Sequence, residues 1–452
     1  MPERPGTDRR PLTGWGRTAP TVATVQHTDT GHVPALLRAA GPRGVVARGL
    51  GRSYGDAAQN AGGDVLVLDH GGRIELDPGR AVATVDAGVS LDRLIRTLLP
   101  RGFFVPVTPG TRQVTVGGAV AADVHGKNHH VHGTFGSHVR ALTLVGADGQ
   151  PQVLTPEGTP DRFWATIGGM GLTGVVTSVE VSVLPVETSW IRVDTDRAAN
   201  LDELYALMAH DDDYTYSVAW IDLLARGRRM GRSVLTRGEH ARVEELPPSR
   251  AASPLDFAAK ERLRAPAWVP DGLMSRLGIR AFNELWFRKS PARRRGEIQS
   301  LGGFFHPLDG VAEWNRLYGR RGLVQYQFVV PLGAEAAMTE AVDRISSAGH
   351  ASFLAVLKRF GRRNPGLLSF PSEGWTLALD LPADPALAPL LDGLDDLVAG
   401  AGGRIYLAKD SRARPEAVAA MYPRLEDFRR IRGEMDPDGV FASDLSRRLR
   451  LT

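Results

Sequence analysis

The sequence predicts an α+β protein, of two or three domains for its 452 residues. Three observations carry that expectation. In the N-terminal part, short β-type runs follow one another closely, with only short helices between them, unlike a regular parallel βαβ series. Three glycine-rich loops, all attached to strands, fall within ~130 residues, as the walls of one large binding site would. They are GLGRSYGD (49–56), TPGTRQVTVGGAVAADVHGKNHHVHGT (108–134) and GGMGLTG (168–174). After Pro185 such loops cease, and longer alternating segments take over.

Taken in order, LTGWGR (12–17) leads in, and GVVAR (44–48) reads as a buried strand running into the first glycine loop. β-type runs follow at 65–69 (VLVLD) and 81–86 (AVATVD), then a helix over 91–99 with Ser90 as its N-cap. AVAA (119–122) suits close packing against something flat, and GGMGLTG leads into VVTSVEVSV, a strand of period two. Further on, YTYSVAWI (214–221), GLVQYQFVV (322–330) and WTLALDL (375–381) alternate as strands of a substantial antiparallel sheet, one face apolar and one polar. Residues 246–281 are rich in Pro, Ala and Arg and lack clear periodicity. They read as a mobile loop or lid, or equally as a poorly patterned helical pair.

Composition narrows the function classes. An apolar fraction of 42% with 23% charged residues belongs to a globular chain. No run of ~18 apolar residues exists for a transmembrane helix. The N-terminus has charge but no apolar stretch behind it, so no secretory signal is read there. A cytoplasmic location, or a peripheral one at the plasma membrane, is expected. With no Cys, disulfides, thiolate metal sites and thiol nucleophiles are excluded together. The net charge of +4 is spread along the chain, and Arg clusters at 226–229 and 293–295 read as solvated surface, so nucleic acid is not an expected partner. Among 55 basic residues only Lys127, Lys260, Lys289, Lys358 and Lys409 are Lys. Lys can lose its proton when buried and Arg effectively cannot, so each of these is a candidate for chemistry. Surface charge is the alternative, and for Lys260, in AAKERLR, it is the reading adopted.

The glycines at 49, 51 and 55 give G-x-G-x-x-x-G, and no acidic residue ends a second strand at the distance a dinucleotide fingerprint requires. Gly126-Lys127-Asn128 likewise lacks the spacing of a P-loop. What remains is a loop whose NH groups can approach a phosphate, or, taken alone, a tight turn. His125, His129, His130 and His132 raise a metal reading, but no acidic pair or Cys accompanies them and no metal is expected.

RGLGRSYGD, PGTRQVTVGGA, HGKNHH, FWATIGGMGLTG, LVQYQFVVP and GRIYLAKDSR together resemble the FAD-linked oxidases of the vanillyl-alcohol-oxidase type, nearly end to end from residue 12 to 448. The resemblance implies a two-part FAD-binding domain, residues 1–187 and 404–452, with an inserted substrate domain, residues 188–403, built on an antiparallel sheet. It implies that Gly49, Leu50, Gly51, Arg52, Ser53, Tyr54 and Gly55 cradle the FAD diphosphate. Pro109, Gly110, Thr111, Gly117, Gly118, Ala122, Gly126 and Asn128 would line the cofactor further along, with Gly171, Gly174 and Tyr406. His125 stands where many relatives bond FAD covalently; a non-covalent cofactor is expected here.

The implied reaction is oxidation of the C2 hydroxyl of a polyprenylphosphoryl ribofuranose, or, as the alternative, of another sugar or aldonolactone. A separate NAD(P)H-dependent reductase would complete an epimerisation toward an arabinose donor for cell-wall arabinan, near a membrane. Lys409, Lys127 and His125 would face the reacting centre, with Lys409 either a base or a charged binder. Gln325 and Gln327 share a strand face opposite Tyr326. By the resemblance, Gln325, Gln327, Lys358, Trp220, Tyr54, Thr376 and Ala378 would shape the substrate pocket with Lys127 and Lys409. Ala378 replaces a frequent Cys, Thr376 an Asn and Phe305 a Tyr. The residues alone leave Lys358, in VLKRFG, as a strand-end surface charge.

Overall fold

The computed structural model describes residues 7–452 except 260, 262, 271–274, 351 and 353, so Lys260 lies outside the described residues. Three sheets organise the chain. A four-stranded sheet runs in the order Thr7–Leu12, Thr21–Thr28, Asp64–Leu68, Val45–Arg48, its last three strands parallel. A five-stranded antiparallel sheet has the order Ile74–Asp77, Val82–Asp86, Val175–Ser182, Val139–Val145, Pro151–Leu154. The expected N-terminal strands are present. So is the helix at Leu91–Leu98, where Ser90 Oγ accepts from the Arg93 NH at 3.1 Å. Val175–Ser182 alternates buried and half-buried residues along its length, the pattern of a strand covered on one face. AVAA ends the helix Val116–Ala121, with Ala122 as its C-cap, and the helix's Val116, Ala119 and Val120 pack into the core beneath the five-stranded sheet.

The third sheet has eight antiparallel strands: Arg293–Ser300, Trp190–Ala198, Ser233–His240, Tyr216–Ile221, Ala355–Phe360, Gly374–Pro382, Leu323–Pro331 and Arg404–Ile405. Its apolar face is covered by helices Leu201–Met208, Glu335–Ala348 and Leu387–Gly400, whose buried Leu, Val, Ile and Met residues share one core with Phe328, Leu357 and Leu377. Tyr326 points into that layer and donates to Asp395 Oδ1 at 2.9 Å. The alternation seen in the sequence is therefore real, but the polar face does not meet solvent. It is buried as one wall of an internal cavity.

The chain returns to its start through GRIYLAKDSR. The Tyr54 NH donates to the Ala408 carbonyl at 2.9 Å, and Val45 bridges to Phe441 in parallel. Gly55 permits this contact: a Cβ there would meet the Asp410 carbonyl oxygen at 2.0 Å. In 246–281, the described residues include a four-residue helix at Pro248–Ala251, a two-residue strand at Leu263–Arg264 and the start of a longer helix, Arg276–Lys289.

Candidate active site

A cavity of about 530 Å³ opens where the glycine loops meet the polar face of the eight-stranded sheet. One wall is backbone. The first loop enters from the strand Val45–Arg48, and Gly51 takes φ +66°. Arg48 braces this loop, donating to the carbonyls of Ala58 at 2.8 Å and Thr13 at 2.7 Å. The Arg52 guanidinium lies 4.1 Å from the Trp15 ring centroid and donates to the Leu50 carbonyl at 2.6 Å. The second loop is tied down through Asp309, which accepts from Thr111 Oγ1 at 2.6 Å and the Arg112 NH at 2.8 Å. Arg112 also pairs with Asp92 at 2.5 Å, so the turn that presents Gly110 is held from both sides. Gly110 and Gly171, the latter at φ +75°, have nothing within 4 Å of where a Cβ would stand.

The facing wall is side chain. Pairing register lines up Val234, Trp220, Val356, Ala378 and Gln327 on five consecutive strands, and all five border the cavity. Gln327 Nε2 donates to His125 Nε2 at 2.9 Å, which ties the sheet to the second glycine loop. His125 sits among Phe360, Phe370 and Tyr406, with ring centroids 4.8, 5.6 and 5.2 Å away. Burial, with the positive Lys358 and the nearby His129 and Lys409, holds its pKa far below the usual imidazole value, so it is neutral. Its Nδ1 is buried without a partner. Tyr406 reaches across to donate to the Ala122 carbonyl at 2.7 Å.

Three of the five lysines border this one cavity: Lys127, Lys358 and Lys409. Lys358 is thus part of the cavity wall, not the surface charge its local sequence suggests. Burial pulls Lys127 down to about 7 with help from Lys358, and pulls Lys358 down to about 8. Burial also lowers Lys409, opposed by the Asp380 carboxylate and assisted by Lys358. Lys127 Nζ donates to the Phe304 carbonyl at 2.5 Å and lies 4.1 Å from that ring's centroid. Lys409 Nζ rests 4.0 Å from the Tyr54 ring centroid. Asp380 is raised by burial, accepts a short hydrogen bond from Gln325 and keeps Oδ2 unpartnered. A depression from 10.5 to about 7 corresponds to roughly 5 kcal/mol against the charged form. Clustering cations at that cost suits a site whose occupants are anionic.

Most of the sequence-derived candidates meet here. Gly49 through Tyr54, Pro109, Gly110, Thr111, Gly117, Gly118, Ala122, His125, Gly126, Gly171, Gly174 and Tyr406 line the cavity, as do Trp220, Gln325 and Ala378. Three stand behind its wall instead. Gly55 abuts Asp410, Asn128 donates to the Pro106 carbonyl at 2.8 Å, and Thr376 is fully buried, accepting from Gln327 at 3.3 Å and donating to the Phe328 carbonyl. The four clustered imidazoles diverge. His129 accepts from the Gly361 NH at 3.1 Å, His130 donates to the Tyr214 carbonyl at 2.8 Å, and His132 packs near His138. Among the described residues no three His, Asp or Glu side chains converge as a metal-ligand set.

Sequence reasoning passed over Asp309, His306 and Asp380. Each is far in sequence from what it touches, as when His306 Nε2 meets Thr108 Oγ1 at 2.8 Å across 198 positions, so no local pattern announces it.

Residues 21–155 match the FAD binding domain family, and residues 383–449 match the family described as D-arabinono-1,4-lactone oxidase. The chain is 48% identical over 459 residues to the decaprenylphosphoryl-beta-D-ribose oxidase of Mycolicibacterium smegmatis, covering 99% of each. It is 46% identical over 375 residues to an uncharacterized protein of Streptomyces coelicolor, covering 80% of this chain and 100% of that one. It is 24% identical over 453 residues to an alditol oxidase of a Streptomyces species, covering 97% and 98%.

The cavity fits FAD on its own features. Gly110 and Gly171 leave room where side chains would intrude, and the orphaned His125 Nδ1 needs a partner. Arg52, on the first loop, is a half-buried cation that borders the cavity, within reach of a diphosphate placed there.

Proposed function

This chain belongs to the family of decaprenylphosphoryl-β-D-ribose oxidases, FAD-linked enzymes of the vanillyl-alcohol-oxidase type. On that premise we propose that it oxidises the C2 hydroxyl of a polyprenylphosphoryl-β-D-ribofuranose to the 2-keto sugar. The observation that carries this reading is the convergence of Lys127, Lys358 and Lys409 with Gln325 and Gln327 on a cavity whose other wall is glycine-rich backbone. A sugar presents hydroxyls to the amides, and its phosphate presents negative charge to the lysines.

The FAD would be held without a covalent bond by residues 49–54, 109–111, 117–118, 171, 174 and 406. When bound, it supplies the acceptor for the hydride that leaves C2. The protein's own part is placement and proton transfer. Lys409, lowered by burial, is the residue we assign to take the hydroxyl proton. Lys127 is already committed to the Phe304 carbonyl and is better suited, with Lys358, to holding the phosphate. His125, neutral and bonded to Gln327, fixes the amide that meets the sugar. Phe305, Trp220 and Val356 give the pocket apolar surface that limits water.

The proposed division is an FAD-binding part at 1–187 and 404–452 and a substrate part at 188–403. The ketone would pass to a separate NAD(P)H-dependent reductase, completing epimerisation to the arabinose donor for cell-wall arabinan. Among the described residues no helix is long and apolar enough to cross a membrane. A lipid-linked substrate implies work at a membrane surface. Steady-state assays with polyprenylphosphoryl ribose, alditols and aldonolactones, with mass analysis of the product, test the proposal. A two-dalton loss confined to the lipid-linked sugar supports it, and preferential turnover of a lactone or alditol rejects it.

A further inference from the structure

The helix Arg276–Lys289 is apolar on the wrong side. It touches the body through a narrow stripe four residues apart. Ile279 and Asn283 are buried, Asn283 donates to Asp222 Oδ1 at 2.7 Å, and Phe287 lies beneath the guanidinium of Arg232 at 4.8 Å. The opposite arc carries Leu277, Ala281 and Leu285, and Phe282 and Trp286, their rings stacked 6.2 Å apart, continue the apolar surface from there round to the edge of the buried stripe. Leu277 is 79% exposed and Leu285 67% exposed. With Leu263, Trp268, Phe282 and Trp286, these are six of the eleven large hydrophobic side chains exposed among the described residues, and they include every exposed aromatic one. A surface helix ordinarily turns such a face inward.

Two further observations say what covers it. Arg288 and Lys289 stand among these apolar residues and Arg276 and Arg280 on the flank toward the body, while the helix's one acid, Glu284, is already paired with Arg232 at 2.8 Å and Arg288 at 2.5 Å. The patch also runs into the cavity, since Trp286 and Arg264 border its mouth. We propose that this helix lies in the surface of an anionic-lipid bilayer, its Leu and aromatic arc among the acyl chains and its Arg and Lys residues on the headgroups. The cavity mouth then faces the membrane, so a substrate's sugar phosphate can enter while its prenyl chain stays in lipid. The second half of this statement rests on the lipid-linked substrate proposed above; the first does not.

The test is sedimentation of the FAD-loaded enzyme with vesicles of phosphatidylcholine alone and of phosphatidylcholine mixed with phosphatidylglycerol. The wild type should sediment with the anionic vesicles and dissociate as salt is raised. Leu277→Ser combined with Leu285→Ser, both outside the cavity, should weaken binding by about tenfold or more. Flavin reduction by a water-soluble, short-prenyl phosphoryl ribose should be unchanged in the same variant. Absence of wild-type binding, undiminished binding of the double variant, or a dimer that the variant dissolves would each overturn the docking proposal. Vesicle binding that persists while the short-prenyl substrate fails to reduce the flavin would leave docking standing and reject the substrate reading.

Discussion

The two walls of the cavity recognise by different means. The glycine-loop wall uses main-chain groups whose positions are set by turns and by close approaches that only glycine allows, as at Gly55 against Asp410. Such main-chain groups do not titrate, which suits a group meant to stay bound. The sheet wall uses side chains projected in register from five strands, and it carries Lys358, whose pKa is lowered to about 8. It can change protonation with its ligand, which suits a group that arrives, reacts and leaves. Cofactor retention and substrate turnover should therefore be separable by mutation.

The largest separation is expected at Lys409. Lys409→Ala should keep FAD, yet lose about two to four orders of magnitude in the rate of flavin reduction under single-turnover stopped flow. Unaltered reduction would remove Lys409 from the proton transfer. On the other wall, Gly55→Ala should act on the fold. The added methyl has no space beside the Asp410 carbonyl, so thermal unfolding should report a loss of about 1–3 kcal/mol, with FAD released on gel filtration. Full FAD content and an unchanged Tm would show that the loop relaxes.

A smaller effect should come from pH. Lys127 and Lys358, near 7 and 8, are charged below those values and neutral above them. Phosphate binding needs the charged forms, so KM should rise by about tenfold between roughly pH 6.5 and 9. The proton acceptor needs the neutral form, so the reduction rate should rise over the same range. Lys358→Ala should flatten the KM profile above pH 7 and move the rate profile to higher pH, because Lys358 no longer helps to lower Lys409. The smallest effect is at Ala378, between Val356 and Gln327 in the pocket row. Ala378→Cys should alter kcat less than about threefold, since no step requires a thiol. It should also introduce inactivation by thiol-directed electrophiles aimed at the pocket, measured as adduct mass.

The same contrast explains what the sequence made legible. Backbone-driven features were readable because their reason is local. GLGRSYGD needs glycine where φ is positive, Ser90 caps its own helix, and VVTSVEVSV alternates against its own sheet. The sheet wall was readable only in part. Gln325 and Gln327 were placed on one face by their spacing, but nothing local says that this face is internal. Lys358 gains its role from Thr376 beside it and from the strand Tyr216–Ile221 next door, both distant in sequence and fixed by strand order. Asn128 and Thr376 show the converse. Both are motif positions that turn out to support the wall through hydrogen bonds to carbonyls. The helix at Arg276–Lys289 escaped periodicity because its apolar residues encircle it, buried at Ile279 and exposed at Leu277 and Leu285.

The central claim is that one cavity joins a retained flavin to a sugar phosphate held by Lys127 and Lys358. Anaerobic titration of the purified, FAD-loaded enzyme tests it most directly. Polyprenylphosphoryl ribose should bleach the flavin band near one equivalent, with free ribose, alditols and aldonolactones leaving it oxidised. Bleaching by a lactone or alditol, with none by the lipid-linked sugar, would contradict the account.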